Sequence, residues 1–398
     1  MISVEDALSR VTAAFGPVAA EHVRLDQALD RVLAEDVAAR MTQPPVAISA
    51  MDGYAVRAAD MAQVPTTLRQ IGEAPAGRAF TGIVKPGEAV RIFTGGPLPE
   101  GADTIVIQER TSVEGDRVTV LDAPRPGQFI RPAGLDFRQG QIGLTKGRRL
   151  TPRDIGLAAA MNVAELPVRR RPRIAVLATG DELVPPGTNP GPSQIVSSNG
   201  PALAAFIAAR GALAVDLGIA GDSIDAFRTA VGRAGNADLL VTSGGVSVGD
   251  YDLVHKALGG IGFAADFWQV AMRPGKPLLF GRLGRLPVLG FPGNPVSALV
   301  CAAVYLGPAI AAMLGEGPSP TATETALLAS HLEPNDHRQD YLRARLSLDA
   351  QGNAVAAPFP HQDASMLFVL AQADCLIVRP PHAPAAPAGS RVTILRLR

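Results

Sequence analysis

Between residues 174 and 314, short apolar runs alternate with helix-length segments, and this rhythm limits the possible folds more than any other feature of the chain. Strands are expected at 174–179, 214–219, 238–242, 278–280 and 287–291, with an extended stretch at 263–272. Helices are expected at 201–210, 223–233 and 251–258, and a long one after Pro295. A sheet fed by helices of this length is most economically an α/β fold, mainly parallel, with ligands at the carboxyl ends of its strands. Three loops sit where that rule puts a site: Thr179-Gly180-Asp181-Glu182, Gly221-Asp222 and the stretch 243–252.

The last of these, within LLVTSGGVSVGDYD (residues 239–252), is the most informative. An apolar run stops at a Ser/Gly loop whose free backbone amides suit an anion. Asp250 and Asp252 follow and would repel that anion, which points to an intervening cation, Mg²⁺ being the natural choice for oxygen ligands. Glu182, Asp222, Asp250 and Asp252 all follow predicted strand ends, so a sheet would gather them at one edge. Each of them equally suits helix capping or a solvated loop. Arg273-Pro274-Gly275-Lys276-Pro277 offers two cations for an oxyanion, or is simply a charged turn. Phe291-Pro292-Gly293-Asn294-Pro295 opens the long apolar helix, and its Asn294 side chain and first amides are potential donors.

Elsewhere the texture differs. Ser3 caps a first helix carrying Ala7, Leu8 and Val11 on one face, and Asp26 caps a second carrying Ala28, Leu29, Val32 and Leu33, giving an amphipathic helical arm. Apolar runs at 67–71, 89–93, 104–108 and 117–121, divided by Gly and Pro turns, read as a compact β-rich domain. Within it Asp52 lies on a tight turn, and Thr94 stands beside Gly95-Gly96. Thr151-Pro152 starts another helix. Arg169 to Arg173 hold four arginines that read as a solvated basic linker, and short β runs return after Pro318 as a small C-terminal β domain.

The chain has 398 residues, enough for roughly two to four domains. Expected limits are 1–45 with 141–168 for a helical and extended linker domain, 46–140 for an inserted β-rich domain, 169–316 for the α/β domain and 317–398 for the C-terminal β domain. The α/β domain is taken as three-layered. Lys+Arg and Asp+Glu both number 37, so no overall charge favours nucleic acid or an acidic membrane. Cys301 and Cys375, both in apolar surroundings, exclude a disulfide framework and suit a reducing cytoplasm. The acidic start of the chain does not resemble a signal peptide, and the apolar helix after Pro295, holding Gly307-Pro308, reads as a core helix. The six histidines lack metal-ligand spacing, and no GxGxxG fingerprint follows the early strands of the α/β region.

Taken together, SAMDGYAV (residues 49–56), FTGGPLPEGADTIVIQE (93–109), RPAGLDFRQG (131–140), LATGDEL (177–183), SGGVSVGDYD (243–252), MRPGKP (272–277) and FPGNPVSA (291–298) resemble the molybdopterin molybdenumtransferases. These are the bacterial MoeA proteins, similar to the E domain of gephyrin, and the seven motifs occur in the family's order over nearly the whole chain. The resemblance implies Mg²⁺-dependent insertion of molybdate into adenylylated molybdopterin, releasing AMP and molybdenum cofactor. It also implies a homodimer whose cleft joins the α/β domain of one copy to the β-rich domain of the other. Further partners implied are the molybdopterin adenylyltransferase and molybdoenzyme maturation factors.

Matched position by position, the family's functional residues fall on Asp52, Thr94, Arg131 and Asp136, and on Glu182, Asp222 and Asp252, with Glu182 and Asp252 as metal contacts. Lys276 joins the catalytic set. Ser243, Gly244, Gly245, Ser247, Arg273, Pro292, Asn294 and Pro295 fall on the binding side, with Arg343 and Ser365 from looser C-terminal motifs. Three positions depart from the family pattern: Arg273 where lysine is usual, Gln269 where several members are basic, and Ser197 where an aspartate often stands. Arg273 keeps the charge with another geometry. Molybdopterin adenylyltransferase activity and a gephyrin-like scaffold role are the alternatives. The N-terminal β motifs speak against the first and the lack of a long interaction linker against the second.

Overall fold

In a computed structural model, the chain is described over residues 1–245, 262–317 and 323–397. It divides into two units, one formed by Met1–Glu21, Asp30–Ala34 and Val168–Arg398, the other by His22–Leu29 and Glu35–Pro167. The expected helix at 251–258, and Ser247, Asp250 and Asp252 with it, lie outside the described residues.

The first unit is built on a six-stranded sheet in the order Leu213–Ala220, Arg173–Thr179, Leu239–Ser243, Leu286–Phe291, Pro277–Leu283, Phe263–Gln269. The first four strands are parallel and the last two are added antiparallel. Alternation along the strands decides where the core goes. Ile174, Val176, Leu239 and Val241 enter one apolar cluster, whereas Ala175, Leu177 and Leu240 enter another. Successive side chains point to opposite faces, so the central strands are buried on both sides and are apolar nearly throughout.

The helix that opens at Pro295 packs in the first cluster and runs to Leu314. Gly307-Pro308 does not end it. A π-type segment over Ala302–Leu306 precedes the proline, and such a widened turn accommodates a ring that cannot donate to the preceding carbonyls. Among the described residues this helix alone is long and apolar enough to cross a membrane, yet 78% of that window is buried inside the protein. Gly315, at φ 66°, closes it in the left-handed conformation.

The C-terminal part of this unit curls its sheet into a closed, barrel-like form. Gln339–Leu348 pairs with both Ala354–Pro358 and Cys375–Arg379, and Thr323–Leu328 with Arg391–Arg396 completes the circuit. Met272–Arg273 joins this sheet in parallel beside Gln339 and Asp340, tying the barrel to the α/β part.

Two expectations need correction here. Only the first helix of the supposed N-terminal helical arm exists, Val4–Ala13, capped by the Ser3 hydroxyl, which accepts from the Asp6 amide at 3.0 Å. The segment after Asp26 forms a short 3₁₀ turn at Leu25–Gln27, and Asp30 then takes a positive φ of 61°. Leu33 bridges to Val168, and the Val32 carbonyl accepts from the Arg169 amide, so the backbone there is spent on strand-like pairing. The arginines at 169–173 are not a free solvated linker either. Arg169 donates to the Val18 and Ala34 carbonyls, and Arg170 forks onto both oxygens of Asp238 at 2.8 and 2.7 Å. Burial alone would raise the Asp238 carboxyl, but the Arg170 fork and the Arg173 amide outweigh it and hold it below the usual range.

The second unit carries its own six-stranded sheet, ordered Thr104–Ile107, Gly53–Val56, Glu88–Ile92, Thr66–Ala74, Arg117–Val120, Thr111–Glu114. Gly53–Val56 is buried throughout, so the turn expected around Asp52 passes at once into a core strand. Gly53 is required there because a Cβ would stand 2.0 Å from the Val106 carbonyl oxygen.

Leu289 is fully buried in the central sheet. Leu289→Ala should lower unfolding stability by about 2–5 kcal/mol, measured by urea denaturation, because the cavity left cannot fully collapse. Leu348→Ala, at an exposed position, should stay within about 0.5 kcal/mol of the parent.

Candidate functional site

Adjacent parallel strands end together, and this brings three loops of the first unit side by side. Ser243, at the end of its strand, is aligned with Ala178 on one neighbour and Phe291 on the other. Gly244 adopts φ 95°, and a Cβ on it would lie 2.3 Å from the Thr179 carbonyl oxygen, so only glycine can pass there. Its amide donates to the Phe291 carbonyl at 3.1 Å. The side chain that locks the arrangement is Asn199, at the start of the helix Asn199–Ala209. Its Nδ2 donates to Ser243 Oγ and to the Gly293 carbonyl, both at 2.7 Å, bridging the Ser-Gly-Gly loop and the Pro-Gly-Asn loop. Asn199 follows Ser197 by two residues in Ser197-Ser198-Asn199, and only the fold shows its reach.

The acids behave differently from one another. Asp181 Oδ1 accepts from the Asp222 amide at 2.8 Å, and Asp222 Oδ2 accepts from the Asp181 amide at 3.5 Å, so each braces the other's loop. Asp181 was not singled out by spacing, although it lies in LATGDEL beside Glu182. The Glu182 carboxylate folds back over Gly180, where a Cβ would meet its Oε2 at 2.4 Å. Among the described residues no group of three or more metal-type side chains is assembled. Even so, the donors present are carboxylate oxygens, the class Mg²⁺ takes, and the reciprocal bonds commit one oxygen of each aspartate. The residues therefore suit a Mg²⁺ ion that would be completed by other ligands.

The cations divide between two tasks. Arg273 donates from Nε and Nη2 to the two oxygens of Asp340 at 2.9 and 2.6 Å, joining the α/β part to the barrel. Asp336 lies 3.7 Å from the same guanidinium, and its carboxyl is held far below the ordinary range, chiefly by Arg338. Lys276 forms no ion pair with a described residue. Arg343, 1% exposed, donates to Gln362 Oε1 and to the carbonyls of His361, Asp363 and Met366. It organises the 361–366 loop, in which Ser365 donates from its hydroxyl to Asp363 at 2.6 Å. The Ala364 carbonyl of that loop accepts from the Val296 amide at 3.1 Å, beside Pro295. Pro292 is buried while Asn294 is exposed, its side chain forming no cap to the helix it precedes.

In the second unit, Asp52 Oδ1 accepts from both the amide and the hydroxyl of Thr94, at 2.7 and 2.8 Å. These two bonds hold the Asp52 carboxyl below its usual range. Arg131 lies on the short strand Ile130–Arg131, which pairs with Ile48–Ser49 just ahead of Asp52. Asp136 donates its amide to the Gln43 carbonyl. Neither cysteine offers a thiolate: burial pushes Cys375 up to about 12 and Cys301 higher still.

Three family models cover the chain in order. Residues 2–162 match the MoeA N-terminal region (domain I and II), 175–312 a probable molybdopterin binding domain and 325–397 the MoeA C-terminal region (domain IV). The chain belongs to the MoeA family. Molybdopterin molybdenumtransferase 2 of Mycobacterium tuberculosis is 39% identical over 94% of each chain. The molybdopterin molybdenumtransferase of Haemophilus influenzae is 33% identical over 99% of this chain and 98% of its own. A solved MoeA protein from Pyrococcus horikoshii superposes with a TM-score of 0.87 at 29% identity, covering 100% of this chain and 99% of that one. The multidomain MoeA fold is thus shared along the whole length.

The Thr94 bonds give Asp52 a pH signature. Because its folded-state pKa is depressed, its contribution to stability is present above the ordinary aspartate range and is lost as pH falls through the folded value. Thr94→Val should raise the Asp52 pKa, read by carboxyl NMR titration. The melting-temperature gap between wild type and Thr94→Val should be widest near neutrality and narrow on acidification. A gap independent of pH would show that the bond does not bear on folding.

Proposed function

We propose that the protein inserts molybdate into adenylylated molybdopterin in a Mg²⁺-dependent reaction that releases AMP and molybdenum cofactor. The observation that carries this reading is the convergence, in a MoeA-family chain, of two anion-suited loops locked by Asn199 with the acids Asp181, Glu182 and Asp222 on neighbouring strand ends. The Gly245 amide, with Lys276, holds the phosphate that joins AMP to the pterin and offsets the negative charge that grows as this link breaks, while the Gly244 amide, spent on the Phe291 carbonyl, fixes the loop. Glu182 and Asp252 would hold Mg²⁺, which supplies Lewis-acid polarisation of a phosphate oxygen when bound. The 361–366 loop with Ser365, shaped from beneath by the buried Arg343, borders the molybdate side and is joined to the helix start by the Ala364–Val296 bond. The pterin's own sulfurs bind molybdenum, in keeping with two protein thiols that stay protonated. We place the three-layer α/β domain, the four-domain division and a cytoplasmic homodimer within the same proposal. Asp52, Thr94, Arg131 and Asp136 then act on the substrate from the second copy.

Incubation with adenylylated molybdopterin, Mg²⁺ and molybdate should release AMP, and omission of molybdate should suppress it. Equal release with and without molybdate would overturn the insertion reading. Asp222→Asn and Asp52→Asn should each reduce turnover by at least about 10²-fold. Co-expressed in one heterodimer, the two variants should restore part of the activity, since one of its two sites is then intact. No complementation in a verified heterodimer would reject the shared-site assignment.

A further inference from the structure

Arg91 stands on the strand Glu88–Ile92, directly across from Tyr54 in the antiparallel register. Its guanidinium lies 5.0 Å from the Tyr54 ring centroid and 4.9 Å from that of Phe93. Those rings are not arbitrary neighbours. Tyr54 comes two residues after Asp52, and Phe93 immediately precedes Thr94, so the guanidinium is held between the two chain segments that the Asp52–Thr94 bonds connect.

The hydrogen bonds of Arg91 lead to the same place. Nη1 donates to the Gly53 carbonyl at 3.2 Å and Nη2 to Gln108 Oε1 at 2.6 Å. The Gln108 amide in turn donates to the Asp52 carbonyl at 3.2 Å. A planar guanidinium meets all these requirements together, with stacking on both rings and donors in a fixed fork. Lysine would keep the charge and lose the fork.

We propose that Arg91 is a positioning residue for the Asp52 carboxylate, fixing the turn that presents Asp52 and Thr94 to substrate. It does not itself touch the reacting groups. The positive charge of Arg91 adds to the two Thr94 bonds in keeping the Asp52 carboxyl below its usual range. A role in strand packing alone would lower stability and leave Asp52 as it is.

The test compares wild type with Arg91→Gln and Arg91→Lys at a temperature where circular dichroism shows each fully folded. Carboxyl NMR titration should show the Asp52 pKa raised in Arg91→Gln and kept closer to wild type in Arg91→Lys. With adenylylated molybdopterin, Mg²⁺ and molybdate, kcat for AMP release should fall by about 10- to 100-fold in Arg91→Gln, with a smaller change in KM. Should Arg91→Gln fail to fold, Arg91→Lys carries the test through kcat, and wild-type kcat in that variant would overturn the proposal. In folded Arg91→Gln, an unchanged Asp52 titration overturns it whatever kcat does. The consequence for turnover rests on the function proposed above. If wild type releases no AMP with molybdate, that function fails while the titration still decides whether Arg91 governs Asp52.

Discussion

A parallel strand buried on both faces has nowhere to carry a charge or a polar loop except at its ends. In the first unit this constraint does most of the work of placing the site. Arg173–Thr179 and Leu239–Ser243 send alternate residues into opposite apolar clusters, so Ser243 is the last buried residue of its strand and Glu182 and Gly244 fall just past a strand end. Parallel pairing then sets those ends side by side, and a single amide, that of Asn199, suffices to hold two loops in register. Its bonds replace water for groups at the edge of the core, where an unmet donor would cost about 1–3 kcal/mol.

Much of this was legible in the sequence because the signals were local. Uninterrupted apolar runs marked the central strands, Ser223 marked a helix start that the structure confirms by its bond to the Ala226 amide, and glycines marked the turns. Where the reading went wrong, long-range partners decided the outcome. Residues 28–33 have helical spacing, but Val32 and Leu33 find their hydrogen-bond partners at Arg169 and Val168, more than 130 positions away. Gly53–Val56 is too short to announce itself as a strand, and becomes one because Glu88–Ile92 and Thr104–Ile107 flank it. Asp181 lies inside LATGDEL and Asn199 two residues after Ser197, yet the bonds of Asp181 with Asp222 and of Asn199 with Ser243 and Gly293 across the sheet edge are a property of register, which spacing along the chain does not contain.

The charges show the same division between local and distant causes. A chain with equal numbers of acids and bases gains little from its overall field, so each ion must be read by its own neighbours. Arg273 and Lys276 look equivalent in a five-residue stretch. The fold separates them: Arg273 is clamped on Asp340, itself 3% exposed, while Lys276 keeps an ammonium that no described acid neutralises. The guanidinium's fork gives this chain a bidentate tie between its α/β part and its barrel. Removing Asp340 would leave that guanidinium only the looser contact with Asp336 at 3.7 Å and would undo the fork that ties the two parts together.

Arg343 carries the point furthest. Its sequence surroundings suggest a cation offered to an anion, but in the structure its donors face Gln362 and a run of loop carbonyls, and burial lowers its pKa. A buried guanidinium without a facing carboxylate persists only if neutral acceptors replace water around it. The 361–366 loop provides those acceptors, and in doing so it takes on a shape that Arg343 dictates. The position of Ser365 beside the Pro295 helix is therefore set from beneath by a charge that the loop itself conceals.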